Sequence, residues 1–186
     1  MKRCFDIFAG LLFIVLLLIP TLFVVVTIKV ASKGSLLHWS ERVGKENVNF
    51  WMPKFRTMRN DTPQLATHLM NDPDKYLSPI GGILRRSSLD ELPQLFSIMK
   101  GDMSFVGPRP ALFNQADLVA LRTEQGVDKL MPGLTGWAQV NGRDELPIPE
   151  KVALDVEYLE RQSFLFDMYI LWLTMLKVVR RDGVSH

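Results

Sequence analysis

The chain has 186 residues, the length of one domain with room for an appended element. Its 22 basic and 20 acidic residues leave a formal net charge of +2, so the composition indicates no general nucleic-acid-binding surface and no nucleic acid partner. Cys4 is the only cysteine, which excludes an intramolecular disulfide and every zinc site built on several cysteines.

The segment from residue 5 to residue 28 is almost wholly apolar and is interrupted by Asp6 near its start and by Pro20. As a straight helix it would be about 36 Å long, which is enough to cross a hydrocarbon core of about 30 Å. It has no small-residue cleavage pattern of the signal-peptide kind, so we expect it to be retained.

Basic residues flank this segment on both sides, with Lys2 and Arg3 before it and Lys29 and Lys33 after it. Such flanks are awkward for a spanning helix, because basic residues favour the cytoplasmic side. Pro20 removes a helical hydrogen bond and predicts a kink in the deep part of the segment. The residues alone leave two arrangements open: a helix that spans the membrane, and a helix that bends near Pro20 and returns to the same face.

Residues 34–58 predict a short β-hairpin. One strand is expected around residues 36–39, turn residues at 44–47 and a second strand over residues 48–52. Pro53 is expected to end the ladder.

Two basic side chains follow the predicted hairpin. Lys54 and Arg56 share one side of an extended chain, where they either bind phosphates or form an ordinary solvated face. Residues 60–79 are polar and contain three prolines, with only a weak helical pattern near residues 64–70. We expect this stretch to be a surface excursion near a site.

Asp90 and Glu91 place two adjacent carboxylates where a helix is predicted to begin. With Asp90 as the N-cap, Pro93 falls in the first turn and the helix runs to Gly101. The helix dipole is then expected to keep Asp90 ionised near neutral pH. On this stretch alone, a simple cap with a dipole partner is the commoner reading. The predicted apolar face of this helix consists of Leu92, Leu95, Phe96 and Met99.

Arginines lie on both sides of the acidic pair. Arg85 and Arg86 precede it, and Arg109 lies between two prolines in a predicted loop over residues 101–110. A guanidinium on so constrained a backbone is pre-positioned to bind an anion. Carboxylates beside fixed cations suit chemistry on phosphates, because the cations hold the oxygens while a carboxylate attacks or binds a metal.

The C-terminal part predicts two helices, over residues 117–124 and 150–160, and between them a tight turn over residues 131–136. The glycines of this turn are expected to let a ligand approach the backbone. Residues 164–179 are apolar and aromatic with basic residues at their end, which is typical of either an interfacial membrane helix or a buried core helix.

Five sequence blocks occur in a characteristic order. They are KR-x-FD at residues 2–6, KFRTM at 54–58, DELPQ at 90–94, KGDMSFVGPRP at 100–110 and PGLTGWAQVNGR at 132–143. Together they resemble the small monotopic polyprenyl-phosphate phosphoglycosyl transferases of the bacterial sugar transferase family, and the resemblance covers nearly the whole chain.

This resemblance implies a mostly helical α+β fold with a small β-hairpin, in a monotopic membrane protein with interfacial amphipathic helices. Residues 1–30 would form a re-entrant helix-break-helix. Residues 31–186 would form a catalytic domain on the cytoplasmic face of the bacterial inner membrane. The family's break is usually Ser-Pro, whereas this chain has Ile19-Pro20.

The implied activity is transfer of a sugar-1-phosphate from a UDP-sugar to undecaprenyl phosphate, with release of UMP and with Mg²⁺ as cofactor. Asp90 would be the nucleophile of a ping-pong mechanism through a covalent phosphosugar, and Glu91 would support the metal or orient the acceptor. Asp90 and Glu91 would both be metal ligands. Membrane lipids and downstream glycosyltransferases are the further implied partners. A membrane-bound phosphohydrolase and a non-catalytic anchor for glycan assembly stand as alternatives, and the residues do not give the sugar or the oligomeric state.

The motif positions also imply binding residues. The substrate-phosphate cations would be Lys54, Arg56, Arg85 and Arg109. The nucleotide-binding set would be Pro132, Gly133, Thr135, Gly136, Gln139 and Arg143. The membrane-surface set would be Lys2, Arg3, Asp6 and Pro20. Sugar specificity is expected in residues 60–79 and 144–149.

Overall fold

The computed structural model describes residues 1–31, 34–59, 62, 73–142 and 146–180. The helical pattern predicted near residues 64–70, most of the polar excursion, and Arg143 lie outside these described residues. The described chain is mostly helical with two small two-stranded sheets, which confirms the α+β class.

The elements follow one another with short connections. In chain order the α-helices are α1 (Lys2–Leu16), α2 (Leu18–Ala31), α3 (Gly81–Arg86), α4 (Gln94–Lys100), α5 (Ala116–Glu124), α6 (Trp137–Asn141), α7 (Ile148–Arg161) and α8 (Phe164–Arg180). The strands are β1 (Leu37–Val43), β2 (Asn49–Phe55), β3 (Ser104–Val106) and β4 (Gly133–Thr135). Short 3₁₀ turns cover Lys45–Asn47, Pro73–Tyr76, Leu89–Glu91 and Val127–Lys129. The predicted helices at 117–124 and 150–160 are confirmed as α5 and α7.

The N-terminal helices α1 and α2 meet at Leu17 with a bend of 60°. The bend lies before Pro20, which is the third residue of α2, so its missing N–H falls in the first turn of that helix. The Thr21 N–H donates to the Leu17 carbonyl at 2.8 Å across the break. Among the described helices none is by itself long and apolar enough for a membrane span, and only this bent pair meets that criterion, on length and composition.

One side of the helix pair packs on the rest of the protein. Gly10 of α1 lies so close to α4 that a Cβ there would be 2.7 Å from the Met99 sulfur. Val24 and Ile28 of α2 are buried in a cluster with Phe55. The other side exposes large apolar side chains: Phe8, Leu11, Val15, Ile19, Phe23, Val26 and Val30.

The hairpin is longer than predicted, because the ladder does not end at Pro53. Pro53 lies within β2, opposite Trp39. The Arg56 N–H donates to the Leu36 carbonyl at 3.0 Å, which makes that pair hydrogen-bonded. Since hydrogen-bonded and non-hydrogen-bonded pairs alternate in an antiparallel ladder, the Trp39–Pro53 pair needs no N–H from the proline.

The start of α4 also differs from the prediction. Asp90 lies in the 3₁₀ turn before the helix, and the N-cap position is occupied by Pro93, which needs no hydrogen bond from its nitrogen. The helix ends at Gly101, as predicted, and the φ of 100° at this glycine is in the left-handed region.

The buried face of α4 is not the predicted one. Leu95 and Ile98 are buried together with the polar Gln94 and Ser97, whereas Phe96 is 60% exposed. The reason is that α4 lies between α1 and β2, so two partners rather than one apolar stripe decide which of its residues are covered.

The second sheet pairs β3 and β4 in parallel. The sequence predicted a loop and a turn at these positions, and this is wrong over the three residues of each strand. A Cβ on Gly133 would lie 2.1 Å from the Gly107 nitrogen, so only glycine fits at this position. These glycines therefore let two segments of backbone approach each other.

The C-terminal helix α8 has two different faces. Phe166 and Ile170 are buried in the main hydrophobic core, so this face belongs to a core helix. Leu165, Trp172 and Met175 are each more than half exposed on the other face. An interfacial helix requires such an exposed apolar face.

The basic residues at the N-terminus contact α8 and the end of α4. Lys2 Nζ lies 2.5 Å from Asp167 Oδ2 on α8. Arg3 donates from both terminal nitrogens to the carbonyls of Ile98 and Met99, at 2.5 and 2.7 Å. The last carbonyls of a helix lack intrahelical i+4 donors, and here the Ile98 carbonyl accepts only a 3.2 Å bond from the Gly101 N–H of the cap. The Arg3 guanidinium therefore stabilises the end of that helix.

Asp6 is buried at 3% exposure although it was predicted as a membrane-surface residue. Its Oδ1 accepts hydrogen bonds from the Ser104 hydroxyl and the Phe105 N–H, each at 3.1 Å. The carboxylate therefore joins α1 to the start of β3.

Replacing Asp6 by alanine should destabilise the fold by about 1–3 kcal/mol, because two buried donors would lose their acceptor. Thermal unfolding in detergent would measure this loss. Glu124→Ala, at the exposed end of α5, is the matched control and should stay within about 0.5 kcal/mol of the parent. Equal unfolding temperatures for the two variants would contradict the role of Asp6.

Candidate active site

The acidic pair is placed by apolar neighbours on both sides. Leu89 and Leu92 pack against the cluster that also holds Phe55, which brings the intervening turn against β2. A φ of 55° at Ser88 turns the chain out of α3 at this point. Asp90 is left 9% exposed as a result.

Glu91 is held by two cations from distant parts of the chain. Its Oε1 lies 2.7 Å from Lys54 Nζ on β2 and 3.6 Å from Arg109 Nη2. Burial opposes ionisation of Glu91, but these two positive charges outweigh it and lower the pKa of Glu91 to about 2. Glu91 is therefore an anion throughout the neutral range.

Asp90 behaves differently from its neighbour. Burial raises the pKa of Asp90 to about 6, although the Lys54 ammonium lowers it, and the Glu91 carboxylate adds to the rise. The helix dipole was expected to dominate here, but α4 begins only at Gln94, and burial prevails. Asp90 is thus mostly ionised at pH 7 and mostly protonated at pH 5.

Two further predicted cations, Arg85 and Arg56, are placed near Thr57. Arg85 donates from Nε to the Thr57 hydroxyl at 3.0 Å, and its charge lowers the pKa of Asp90. Arg56 is 6% exposed, directly before Thr57. The structure therefore brings Lys54, Arg85 and Arg109 into electrostatic contact with the acidic pair.

Most of the predicted nucleotide-binding residues lie in or beside the β3–β4 sheet. Thr135 is buried, with Oγ1 at 2.7 Å from Thr174 Oγ1, and Gln139 donates to the Leu134 carbonyl at 3.4 Å. Gly136 lies against the Gly107 carbonyl. Arg143 is outside the described residues, and nucleotide binding by this set, with Pro132 and Gly133, stays a prediction.

The acidic pair is also the candidate metal site. Across the described ranges, no three His, Cys, Asp or Glu side chains converge on one point. Mg²⁺ commonly takes only one or two protein carboxylates when substrate phosphates and waters complete its shell. The adjacent carboxylates of Asp90 and Glu91 fit this donor set.

Two residues of the site are missing from the predicted set. Gln94 is 3% exposed at the start of α4, and its side chain helps to lower the pKa of Glu91. Nothing in the sequence distinguishes it from a surface glutamine. Arg122 donates to the Arg109 carbonyl at 2.8 Å. An arginine inside a predicted helix is usually solvated, so only the three-dimensional contact identifies it.

Comparison of the sequence with known proteins identifies the family of this chain. The model of the family described as "Bacterial sugar transferase" matches residues 1–181. The chain belongs to the bacterial sugar transferase family. It is therefore a transferase, and the acidic turn with its cations is the candidate active site of this sugar transferase.

Individual relatives agree with this family. The sugar transferase is 36% identical over 188 residues to a protein named "Uncharacterized sugar transferase EpsL" from Bacillus subtilis (strain 168), covering all of this chain and 90% of that protein. It is 36% identical over 189 residues to the undecaprenyl-phosphate glucose phosphotransferase of Komagataeibacter xylinus, covering 96% of this chain and 36% of that protein. It is 33% identical over 202 residues to the undecaprenyl-phosphate galactose phosphotransferase of Salmonella typhimurium, covering 98% and 41%. The chain thus spans less than half the length of these two phosphotransferases.

The Asp90 carboxyl should titrate near pH 6, far above an exposed aspartate. Carbon-detected NMR of aspartate-labelled protein in detergent would follow it. Lys54→Met should move this titration to higher pH, because the Lys54 charge lowers the pKa of Asp90. A titration near pH 4 in the parent, unchanged by Lys54→Met, would contradict the electrostatics described here.

Proposed function

We propose that this protein transfers a sugar-1-phosphate from a UDP-sugar to undecaprenyl phosphate, releasing UMP and forming an undecaprenyl diphosphate-linked sugar. This would be the first membrane step in the assembly of a bacterial glycan. The names of the two phosphotransferase relatives support the acceptor and the reaction class. The observation that carries the proposal is a buried carboxylate, Asp90, beside a second carboxylate that two cations hold.

Asp90 would act as the nucleophile. One carboxylate oxygen would attack the β-phosphorus of the UDP-sugar, the bond from that phosphorus to the bridging oxygen would break, and UMP would leave with the electron pair. The sugar phosphate would then be held as an acyl phosphate. Attack on its phosphorus by an oxygen of undecaprenyl phosphate would release the Asp90 carboxylate, so that one hard displacement is divided into two.

The cations around Asp90 suit this reaction because the donor carries a diphosphate. Arg109 and Lys54, which contact Glu91, and Arg85, whose charge acts on Asp90, would contact phosphate oxygens. Arg56, directly after β2, is a further candidate. Such fixed donors stabilise charge that develops on the phosphoryl oxygens during transfer. Glu91 already orients Lys54 and Arg109 through its Oε1, which supports a positioning role for it.

Mg²⁺ would be held by Asp90 and Glu91 together with the donor's diphosphate oxygens. When bound, the ion supplies charge neutralisation on the diphosphate and orients the leaving group. The two adjacent carboxylates support this assignment by donor type. The nucleotide would extend toward the segment 132–143, as the sequence motif implies.

The membrane arrangement we propose is monotopic, at the cytoplasmic face of the bacterial inner membrane. The bent pair of α1 and α2 would enter the leaflet and return, since the exposed apolar side chains lie on the side away from the protein. The exposed face of α8 would lie in the interface. Membrane lipids would thus be direct partners, and glycosyltransferases that extend the lipid-linked sugar would act next.

Asp90→Asn should abolish UMP release from the UDP-sugar that the parent uses, because an amide is not a nucleophile for phosphorus. UMP can be measured after incubation with a panel of UDP-sugars and undecaprenyl phosphate in nanodiscs. Asp102→Asn is the matched control, since Asp102 pairs with Lys100 at the end of α4 away from the acidic turn, and it should retain activity within about twofold.

Several outcomes would count against the proposal. Full activity of Asp90→Asn would remove the covalent mechanism. UMP release that ignores undecaprenyl phosphate and gives a water-soluble sugar product would instead indicate a phosphohydrolase. No turnover by the parent across the panel would favour a non-catalytic anchor.

The topology can be tested with two cysteines. Cys4 is exposed at the start of α1, and Ser35→Cys places a second exposed thiol after α2. In inside-out membrane vesicles, a membrane-impermeant maleimide should label both single-cysteine proteins, with Cys4→Ser used as the parent of the second. Labelling of the two positions from opposite sides would show that the helix pair spans the membrane.

A further inference from the structure

The loop that carries Arg109 is fixed through its carbonyl oxygens. Prolines on both sides of Arg109 remove the N–H groups that would otherwise bind this loop to its neighbours. The Pro108 carbonyl accepts a hydrogen bond from the Gly133 N–H, and the Ala111 carbonyl accepts one from the Val43 N–H, both at 2.9 Å. The two ends of the loop are therefore tied to strands by the backbone.

The two carbonyls in the middle of the loop are bound by arginine side chains. Arg122 Nη1 donates to the Arg109 carbonyl at 2.8 Å, and Arg42 Nη1 donates to the Pro110 carbonyl at 3.3 Å. The shorter of these two hydrogen bonds is the one to Arg109, whose guanidinium lies 3.6 Å from Glu91. Arg122 is thus the side chain that fixes the backbone at the base of Arg109.

The guanidinium of Arg122 is itself oriented by a buried partner. Arg122 is 8% exposed and Asp155 of α7 is 1% exposed. Nε and Nη2 of Arg122 both donate hydrogen bonds to Asp155 Oδ2, at 3.0 and 2.6 Å. Because the guanidinium is a rigid plane, these two bonds leave Nη1 directed at the Arg109 carbonyl.

A buried ion pair is poor evidence for stability, because desolvation of the two charges offsets their attraction. The two helices that carry the pair, α5 and α7, also bury Leu118 and Val152 in one apolar cluster, so an apolar replacement of the pair suits this interface. Stability is therefore not a sufficient explanation for this ion pair. The third hydrogen bond of Arg122, from Nη1 to the Arg109 carbonyl, indicates a different role.

We propose that Arg122, oriented by Asp155, is a positioning residue that sets the Arg109 guanidinium for contact with Glu91 and with a diphosphate ligand. This inference rests on the proposed function for the identity of that ligand. Arg122 touches neither the acidic pair nor the reacting phosphorus and acts only through Arg109. A misplacement of about 1 Å at a group that binds the reacting phosphate can reduce the rate by about 100-fold, so the orienting bond is functionally significant.

The test is a cycle of four proteins: the parent, Arg109→Met, the pair replacement Arg122→Met with Asp155→Leu, and all three substitutions together. The pair replacement should keep the unfolding temperature close to that of the parent, while kcat/KM for UMP release falls at least tenfold. In the Arg109→Met background, the same replacement should change kcat/KM by less than twofold, because the group it positions is already gone. Lys100→Gln with Asp102→Asn, an exposed pair, is the control and should have no effect in either background.

Equal losses in both backgrounds would overturn the inference, since they would show a general structural role. Full activity of the pair replacement would overturn it as well. If the pair replacement does not fold, Arg122→Lys serves in its place; it keeps the charge beside Asp155 but lacks the planar fork, and its loss should again vanish without Arg109.

Binding of inorganic pyrophosphate, measured by calorimetry on the same four proteins, separates this inference from the proposed reaction. We expect the pair replacement to weaken pyrophosphate binding when Arg109 is present and to leave it unchanged in the Arg109→Met background. This result would support the positioning role even if the protein turns over no UDP-sugar. Equal pyrophosphate binding by the parent and the pair replacement would contradict it.

Discussion

The neutralisation of Glu91 by Lys54 is the interaction on which the candidate active site depends. Two adjacent carboxylates in a buried turn would repel each other, and both would tend to take up protons. Lys54 and Arg109 keep Glu91 ionised, with a pKa of about 2, while burial raises the pKa of Asp90 to about 6. The pair is thereby divided into a permanent anion that organises cations and a carboxylate that ionises just below neutrality. In the proposed mechanism the Asp90 carboxylate loses its charge when the acyl phosphate forms, and burial suits this step because the carboxylate is only weakly solvated before it reacts.

The rest of the fold positions these charged side chains relative to one another. Lys54 comes from the hairpin and Arg109 from a loop fixed by the β3–β4 sheet and by Arg122, while α4 follows the acidic turn and is stabilised at its far end by Arg3. Through Arg3 and the buried Asp6, the bent helix pair is joined to the same core as the acidic turn. Apolar helices that face outward and a polar site are therefore parts of one body, which suits the proposed transfer from a soluble donor to a lipid acceptor.

The sequence was sufficient where a local pattern decides the structure. It predicted the hairpin and the helices α5 and α7, and it singled out the acidic pair and the cations Lys54, Arg85 and Arg109, which the structure brings together. Prediction from the sequence failed where tertiary contacts determine the start of a helix, a short strand or the burial of a charged side chain. Pro93 was compatible with Asp90 as the cap of α4, and only the packing of the acidic turn on β2 shows that Asp90 precedes the helix. Strands of three residues are too short for any periodicity to reveal them. Arg122 and Asp155 are far apart in sequence. Asp6 is a single charge near the start of an apolar segment, and only the structure shows the buried donors that it binds.

The most direct test of the central claim is intact and peptide mass spectrometry of enzyme incubated with its UDP-sugar in the absence of undecaprenyl phosphate. A covalent mechanism predicts a mass increase equal to one sugar phosphate, localised to the peptide that contains Asp90 and absent from Asp90→Asn. The adduct should disappear when undecaprenyl phosphate is added. Active enzyme that shows no adduct under these conditions, or an adduct on another residue, would contradict the assignment of Asp90 as the nucleophile.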